Sequence, residues 1–189
     1  MSIIATPDES EVTGLAAEIY AADIRRIGYV PAHTRVMAVN PEAERAWEAL
    51  ASAIAAQLGV RRYELVTLAA ARGARSLHCR LAHGAKTLPL IAEEQLVRIA
   101  TDHHDADLTE AEVAMMDFAE KVSTDAASMT DADSLRLREV GFSDREIVDI
   151  TLAAAARNYY SRAVQALAVD VDVPPTLPAA LREALVAGL

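Results

Sequence analysis

Helix start signals recur along this chain, whereas no segment shows the regular two-residue alternation that a β-strand requires. Asn40-Pro41 places a capping side chain before a proline that fits the first helical position. Thr109 and Glu112 have the spacing of a capping box, and so do Ser143 and Glu146. Because these signals stand before segments with helical spacing of apolar residues, the sequence predicts an all-α fold.

Glycine and proline residues separate the predicted helices within a single helical domain spanning 1–189, whose core covers about 15–172. Tyr29-Val30-Pro31 is predicted to be an extended connector, and His103-His104-Asp105 an exit loop. The predicted helices are 10–27, 41–57, 61–72, 76–88, 91–101, 110–125, 131–140, 143–169 and 178–188.

The composition limits the functions open to the chain. Of its 189 residues, 52% are hydrophobic but only 4% are aromatic, which predicts a core of Ala, Leu, Val and Ile on closely packed helices. A net charge of −10 argues against binding to nucleic acid or to an anionic membrane surface. No apolar run is long enough to cross a bilayer, and the first residues lack a secretory signal, so we expect a cytoplasmic protein. Apolar helix faces that need cover predict a homo-oligomer.

A weak internal helical repeat has an offset of 82 residues. Glu64-Leu65-Val66 matches Glu146-Ile147-Val148, and Cys79 corresponds to Ser161. The two halves of the domain are therefore predicted to share a scaffold, with the reactive residues in the first half. The other matched pairs are Arg75 with Arg157, Arg80 with Arg162, and His83 with Gln165.

Cys79 is the only cysteine, and a histidine stands four residues later, on the same face of a predicted helix. An imidazole beside a thiol favours the thiolate, which is the nucleophilic form. If Ser76 caps this helix, Cys79 lies in its first turn, where free N–H groups and the helix dipole also stabilise an anion. The alternative is a small buried hydrophobe, which is the usual role of a free cysteine. A single cysteine excludes an intrachain disulfide.

His83, His78 and Glu64 are candidate acid–base groups around this thiol. His83 would serve as base or proton relay, or it would be a core histidine bonded to a carbonyl. His78 would shape the pocket or carry protons, or it would be exposed without a role. Glu64 lies on an otherwise apolar helix stripe, so it would be partly buried and would need a donor such as His83 or Arg75. The alternative for Glu64 is a helix-capping glutamate.

Ser76 is predicted to be the helix cap, although its hydroxyl could also donate to a thiolate or to a bound peroxide oxygen. Cys79 and His83 together with His103 or His104 would make a poor zinc site, because structural zinc uses several closely spaced Cys or His ligands. The chain also lacks a phosphate loop and a dinucleotide fingerprint. We therefore predict no metal and no cofactor.

This segment resembles the alkylhydroperoxidase D-like proteins of the carboxymuconolactone decarboxylase superfamily. Their pattern is a glutamate, a Cys-x-x-Cys pair and a histidine four residues after the second cysteine. Here Glu64 stands twelve positions before Ser76, and Ser76-Leu77-His78-Cys79 is followed by His83. The chain is similar to the peroxidase-related branch of this superfamily over about 15–172, most closely in the segments 28–31, 63–72, 82–84 and 141–144.

The resemblance implies an all-α fold, assembly into trimers or hexamers, and thiol-dependent reduction of hydroperoxides. Cys79 would attack the peroxide, His83 and Glu64 would form the proton relay, and His78 would lie beside them. Ser76 stands where the pattern has its first cysteine. The internal disulfide of the family's cycle therefore cannot form, and an external thiol would have to restore the enzyme.

Three functions stay open at this point. The preferred one is a one-cysteine hydroperoxide reductase that uses a small-molecule or protein thiol as reductant. The second is decarboxylation or isomerisation of a lactone-type acid, with His83 as acid–base group and Arg75 or Arg80 holding the substrate carboxylate. The third is a non-enzymatic redox sensor or assembly module, in which Cys79 is oxidised without turnover.

Overall fold

The computed structural model describes residues 2–187, and within that range it contains ten α-helices, two short 3₁₀ turns and no strand. The predicted all-α class is therefore confirmed. The predicted terminal helix 178–188 is present as α10, and its last residue lies outside the described range. The helices are α1 (Gly14–Ile27), α2 (Ala32–Met37), α3 (Pro41–Leu58), α4 (Val60–Gly73), α5 (Leu77–Thr87), α6 (Glu93–Thr101), α7 (Glu110–Asp125), α8 (Asp131–Glu139), α9 (Asp144–Ala166) and α10 (Ala179–Val186).

The capping residues predicted from the sequence lie at the starts of helices in the structure. The Asn40 side chain accepts a hydrogen bond from the backbone N–H of Ala43 at 3.1 Å and caps α3. The capping boxes that start at Thr109 and Ser143 are both formed, at α7 and α9. These bonds satisfy N–H groups that have no partner within the helix, so they fix where each helix starts.

Two differences from the prediction lie near the start of the chain. The first helix begins at Gly14 rather than at residue 10, because a turn closed by the Asp8 side chain on the Ser10 N–H precedes it. The short helix α2 was not predicted. Its first N–H, that of Ala32, donates to the Asp172 carboxylate at 2.7 Å, a contact made across most of the chain length. Because the residue that supports this helix lies far away in the sequence, the sequence around α2 carries little indication of a helix.

Helix α4 lies at the centre of the fold, where it packs against α3, α5, α7 and α9. Every residue from Tyr63 to Ala71 is buried. The close approach to α7 requires a glycine at the end of α4, because a Cβ at Gly73 would lie 2.7 Å from the backbone oxygen of Glu120. Since α4 is enclosed on all sides, the Glu64 carboxylate points into the protein interior.

Helix α10 covers one side of α5. Gly84 packs directly on Leu185, and the buried guanidinium of Arg80 donates to the carbonyl of Ala100 at 2.7 Å and to that of Ala187 at 3.1 Å. Burial lowers the pKa of Arg80 to about 10. These bonds satisfy carbonyls at the ends of α6 and α10, so Arg80 has a structural role.

Within residues 2–187, no helix has both the length and the apolar character needed to cross a bilayer. Helix α9 exposes Val148, Leu152 and Tyr159 on one face. This apolar face is compatible with a homo-oligomer, which stays a prediction, as do the trimers or hexamers that the resemblance implies.

Candidate functional site

The thiol of Cys79 is buried where α5 meets α9. Ser76 caps α5, and its hydroxyl accepts from the Cys79 N–H at 3.4 Å, as predicted. Cys79 itself is 1% exposed. Its Sγ accepts a hydrogen bond from the Ser161 hydroxyl at 3.2 Å and one from Nη1 of Arg157 at 3.7 Å. Two donors on α9 therefore point at one sulfur atom.

His83 does not hold this sulfur, which corrects the prediction of a direct thiol–imidazole pair. Within the described residues, the hydrogen-bond partners of Cys79 Sγ are Ser161 and Arg157 only. Nδ1 of His83 lies 2.6 Å from Oε2 of Glu64 instead. The two side chains share α5 but face different neighbours, because the thiol turns toward α9 and the imidazole toward the central helix α4.

Glu64 and His83 form a buried pair, and the partner required by the Glu64 carboxyl is thus His83 rather than Arg75. Burial raises the pKa of Glu64, while Lys86 and Arg157 oppose that rise. Burial also lowers the pKa of His83 well below its usual value, and the two cations add to this. His83 is therefore a neutral imidazole near pH 7, oriented by the carboxyl group of Glu64.

Arg157 is the charged group that contacts the thiol, and its guanidinium is buried beside two aromatic rings. The guanidinium carbon lies 5.4 Å from the centre of the Trp47 ring and 5.8 Å from that of Tyr160. No carboxylate of the described residues pairs with Arg157, and its Nε has no partner. Burial opposes its charge, yet Cys79, Tyr63 and Glu64 together outweigh burial, and the pKa of Arg157 is raised. Cys79 is the hydrogen-bond acceptor available to this cation.

His78 is buried rather than exposed, and it forms a pair with a histidine that the sequence analysis did not single out. Nε2 of His78 lies 2.8 Å from Nδ1 of His33, and Nδ1 of His78 has no partner. Burial lowers the pKa of both rings. The pair is therefore neutral near pH 7.

Lys86 lies three residues after His83 on α5. Surrounding protein atoms desolvate its ammonium and lower its pKa to about 8, although Glu64 counteracts this. Part of Lys86 nevertheless stays exposed to solvent.

The sequence analysis missed Arg157, Ser161, His33 and Lys86 as site residues. A signal existed for Ser161, since the repeat with an offset of 82 residues pairs it with Cys79, and the two side chains touch. Arg157 appeared in the same alignment only as a match to another arginine. The duplication itself and the single domain stay predictions.

Two other expectations are corrected by the contacts. The guanidinium of Arg80 is committed to backbone carbonyls, so it cannot hold a substrate carboxylate. His103 and His104 make no contact with Cys79 or His83 among the described residues, and they bond to Asp102 and Asp117 instead. The mixed metal site considered from the sequence is therefore not assembled.

Glu44 is a buried carboxyl group behind Tyr160. The Tyr160 hydroxyl donates to its Oε1 at 3.2 Å, and its Oε2 has no partner. Burial raises the pKa of Glu44 to about 7. The folded state therefore holds this proton more tightly than the unfolded state, and ionisation of Glu44 destabilises the fold.

We expect Glu44→Gln to stabilise the protein in a pH-dependent way. The penalty for ionising Glu44 grows as the pH rises from its ordinary pKa of 4.5 to its folded value of about 7, and it is constant above that. Between about pH 5.5 and pH 8, the variant should gain about 2 kcal/mol of unfolding free energy relative to the wild type. Urea denaturation at both pH values measures this. The exposed Glu42→Gln on the same helix should show no such change, and a pH-independent difference for Glu44→Gln would contradict the assignment.

The geometry defines a class of protein. It is an all-α fold in which a buried glutamate on a central helix contacts a histidine that follows a helix-start cysteine by four residues. No family model matches the sequence, and no curated protein matches it either. Solved structures do match. The chain is similar in structure to alkylhydroperoxidase D-like, peroxidase-related proteins, which supports the resemblance stated from the sequence.

Within that class, the chain is similar to peroxidase-related proteins. An alkylhydroperoxidase AhpD core, peroxidase-related protein from Ralstonia eutropha JMP134 matches with a TM-score of 0.79 and 26% identity over 90% of this chain and 92% of that one. A peroxidase-related protein from Silicibacter sp. TM1040 matches with a TM-score of 0.79 and 25% identity, with the same coverage of 90% and 92%. The debrominase Bmp8 shares the fold, with a TM-score of 0.77 at 18% identity over 97% of this chain and 96% of that one.

Proposed function

We propose that this protein reduces hydroperoxides through Cys79, which acts as a single nucleophilic thiolate restored by external thiols. The single observation that carries the proposal is the guanidinium of Arg157, which is buried beside Cys79 Sγ without a carboxylate partner. An arginine stays protonated under all ordinary conditions, and a buried unpaired charge is costly. A thiolate at Cys79 is the anion that compensates this cation.

The polar atoms left without partners support a small oxygen-containing substrate. Among the buried side-chain atoms of the described residues that lack a hydrogen bond are Nε of Arg157, Nδ1 of His78 and Oγ1 of Thr67. Thr67 lies one turn from Glu64 on α4 and one turn from Ala71, which packs with Cys79. Buried polar groups are normally paired, so atoms without partners point to a ligand or water. A hydroperoxide offers both a donor and acceptors to such groups.

The proposed reaction has two stages. The Cys79 thiolate attacks the outer oxygen of ROOH, the O–O bond breaks, and the products are a sulfenic acid and an alkoxide that takes a proton to become ROH. That proton is the one lost by the Cys79 thiol on ionisation, and His83, oriented by Glu64, passes it to the alkoxide directly or through water. A first external thiol then forms a mixed disulfide with Cys79 and releases water. A second external thiol releases the oxidised reductant and regenerates the Cys79 thiol.

Trapping the sulfenic acid tests the first stage. Reduced protein is mixed with one equivalent of cumene hydroperoxide in the presence of dimedone, and intact-mass and peptide spectra are recorded against time. We expect a dimedone adduct on Cys79 that forms faster than the adduct of glutathione under the same conditions, because glutathione lacks a buried counter-ion. Ser161→Ala removes one donor to the sulfur and should slow the reaction.

Cys79→Ser provides the matched control, since it keeps the size of the side chain and should give no adduct. A Cys79 that is oxidised no faster than glutathione would refute the proposed reaction. It would leave the fold assignment intact, because that rests on the helical architecture.

Thiol-dependent dehalogenation is a second candidate, and one observation favours it. A cysteine-to-alanine variant of the debrominase that shares this fold forms a complex with 2,3,4-tribromopyrrole. In such a reaction two thiols and an aryl bromide would give a disulfide, the hydrogen-substituted ring and HBr. Bromide release from 2,3,4-tribromopyrrole in the presence of a thiol, without consumption of cumene hydroperoxide, would select this function for Cys79. The lactone lyase alternative loses one of its two candidate cations, because Arg80 is bound to carbonyls, and it then depends on Arg75.

A further inference from the structure

A second group of polar side chains lies apart from the thiol, where the 3₁₀ turn His103–Asp105 meets α7. We call Asp102, His103, His104 and Asp117 the His–Asp cluster. Nε2 of His103 lies 2.7 Å from Oδ1 of Asp117, and Nε2 of His104 lies 3.0 Å from the same oxygen. Two imidazole nitrogens therefore lie within hydrogen-bond distance of one carboxylate oxygen. The proposed peroxidase reaction uses none of these residues.

The His104 ring is oriented by a second carboxylate. Nδ1 of His104 lies 3.0 Å from Oδ1 of Asp102, and the same oxygen accepts from the His104 backbone N–H at 3.0 Å. A histidine whose Nδ1 donates to a carboxylate presents the lone pair of Nε2 on its other side. This is the support that metal-binding histidines receive in proteins. The two histidine rings pack against each other with centres 4.3 Å apart.

The spacing of the donor atoms fits a single small ion. Two atoms bound about 2.1 Å from one zinc ion lie about 3 to 3.5 Å apart. The observed separations of 2.7 and 3.0 Å need to widen by only a few tenths of an ångström. His103 is buried, with 4% of its side chain exposed, so one ligand is fixed by the core, while His104 and the two aspartates are about half exposed.

The surroundings give an ion access and free coordination positions. The cluster lines an open cavity of about 380 Å³, whose other walls include Arg72, Glu120 and Lys121. Imidazole and carboxylate donors suit Zn²⁺, Ni²⁺ and Cu²⁺, whereas Ca²⁺ and Mg²⁺ prefer oxygen ligands alone. Water in the cavity could complete the coordination of a transition-metal ion.

We propose that the His–Asp cluster binds one divalent transition-metal ion through Nε2 of His103, Nε2 of His104 and the Asp117 carboxylate, with Asp102 orienting His104. The site links the 3₁₀ turn to α7 and is independent of Cys79. The ion would therefore stabilise this part of the fold rather than take part in thiol chemistry.

The test uses the untagged full chain carrying Cys79→Ser, so that neither a histidine tag nor the thiol contributes a ligand. After treatment with EDTA and desalting, Zn²⁺ binding is measured by isothermal titration, and Co²⁺ is followed by its visible absorption. We expect one Zn²⁺ per chain and Co²⁺ bands without a thiolate charge-transfer band. Asp102→Asn should weaken Zn²⁺ binding about 10-fold or more, because it removes the support of a ligand.

His104→Ala and Asp117→Asn should abolish the binding, and both positions are exposed enough for the variants to fold, which circular dichroism checks. Asp125→Asn on the same helix as Asp117 is the matched control and should bind like the parent. Absence of Zn²⁺ binding in the parent, unchanged affinity in His104→Ala, or loss of binding in His33→Ala instead would each overturn the proposal.

Discussion

Replacing Cys79 by alanine should reduce thiol-dependent peroxide consumption to the rate of the protein-free blank. The chain has no other cysteine, so no second nucleophile can take over. The assay follows cumene hydroperoxide with dithiothreitol, glutathione and a dithiol protein as separate reductants, for wild type and variant at equal concentration. Equal rates of peroxide consumption by the two proteins with every reductant would contradict catalysis by Cys79.

The proton relay should produce a smaller loss than the thiol itself. His83→Asn and Glu64→Gln leave the nucleophile in place but remove the acid–base group or its orientation, so turnover should fall about 100-fold. Trapping of Cys79 sulfenic acid should slow in parallel if protonation of the leaving alkoxide limits the step. Unchanged turnover in both variants would assign the Glu64–His83 pair to packing alone.

The helices of this fold follow from local chemistry to a large extent. Capping side chains such as Asn40 and Ser143 act on N–H groups three residues away, so the sequence shows where these helices start. Helix α2 was not predicted, because the carboxylate that accepts its first N–H belongs to Asp172, far along the chain. Contacts of that range become visible only when the chain is folded.

In the candidate site, too, local patterns were predictable from the sequence and long-range contacts were not. Glu64 on an apolar stripe needs a donor, and this requirement indicated His83 or Arg75, of which the structure has His83. The residues around the Cys79 thiol could not be predicted from such a local requirement. Arg157 reaches Cys79 from 78 positions further along the chain, and no local pattern relates the two residues. Helical spacing shows which residues share a face of a helix, and it therefore suggested His83 as the partner of the sulfur. It does not show which neighbouring helix each side chain contacts.

Arg157→Met should separate the role of this cation in reactivity from its role in stability. Methionine fills similar space beside the aromatic rings, and replacement of a buried charge by a hydrophobic side chain is often neutral or stabilising. A positive charge within about 4 Å changes the ionised fraction of an acid about 10- to 1000-fold. We therefore expect the rate of Cys79 alkylation by iodoacetamide at neutral pH to fall at least about 10-fold. Urea denaturation should show an equal or higher unfolding free energy.

Arg80→Met is the matched control for that experiment, since Arg80 is also a buried arginine but is bound to carbonyls on α6 and α10. Its loss leaves those carbonyls without partners, so this variant should unfold more easily while the alkylation rate of Cys79 stays unchanged. Arg157→Lys keeps a charge with fewer donors and should restore part of the rate. If Arg157→Met reacts as fast as the wild type, the thiol does not depend on this guanidinium, and the buried cation would need a different anion, such as a bound substrate carboxylate.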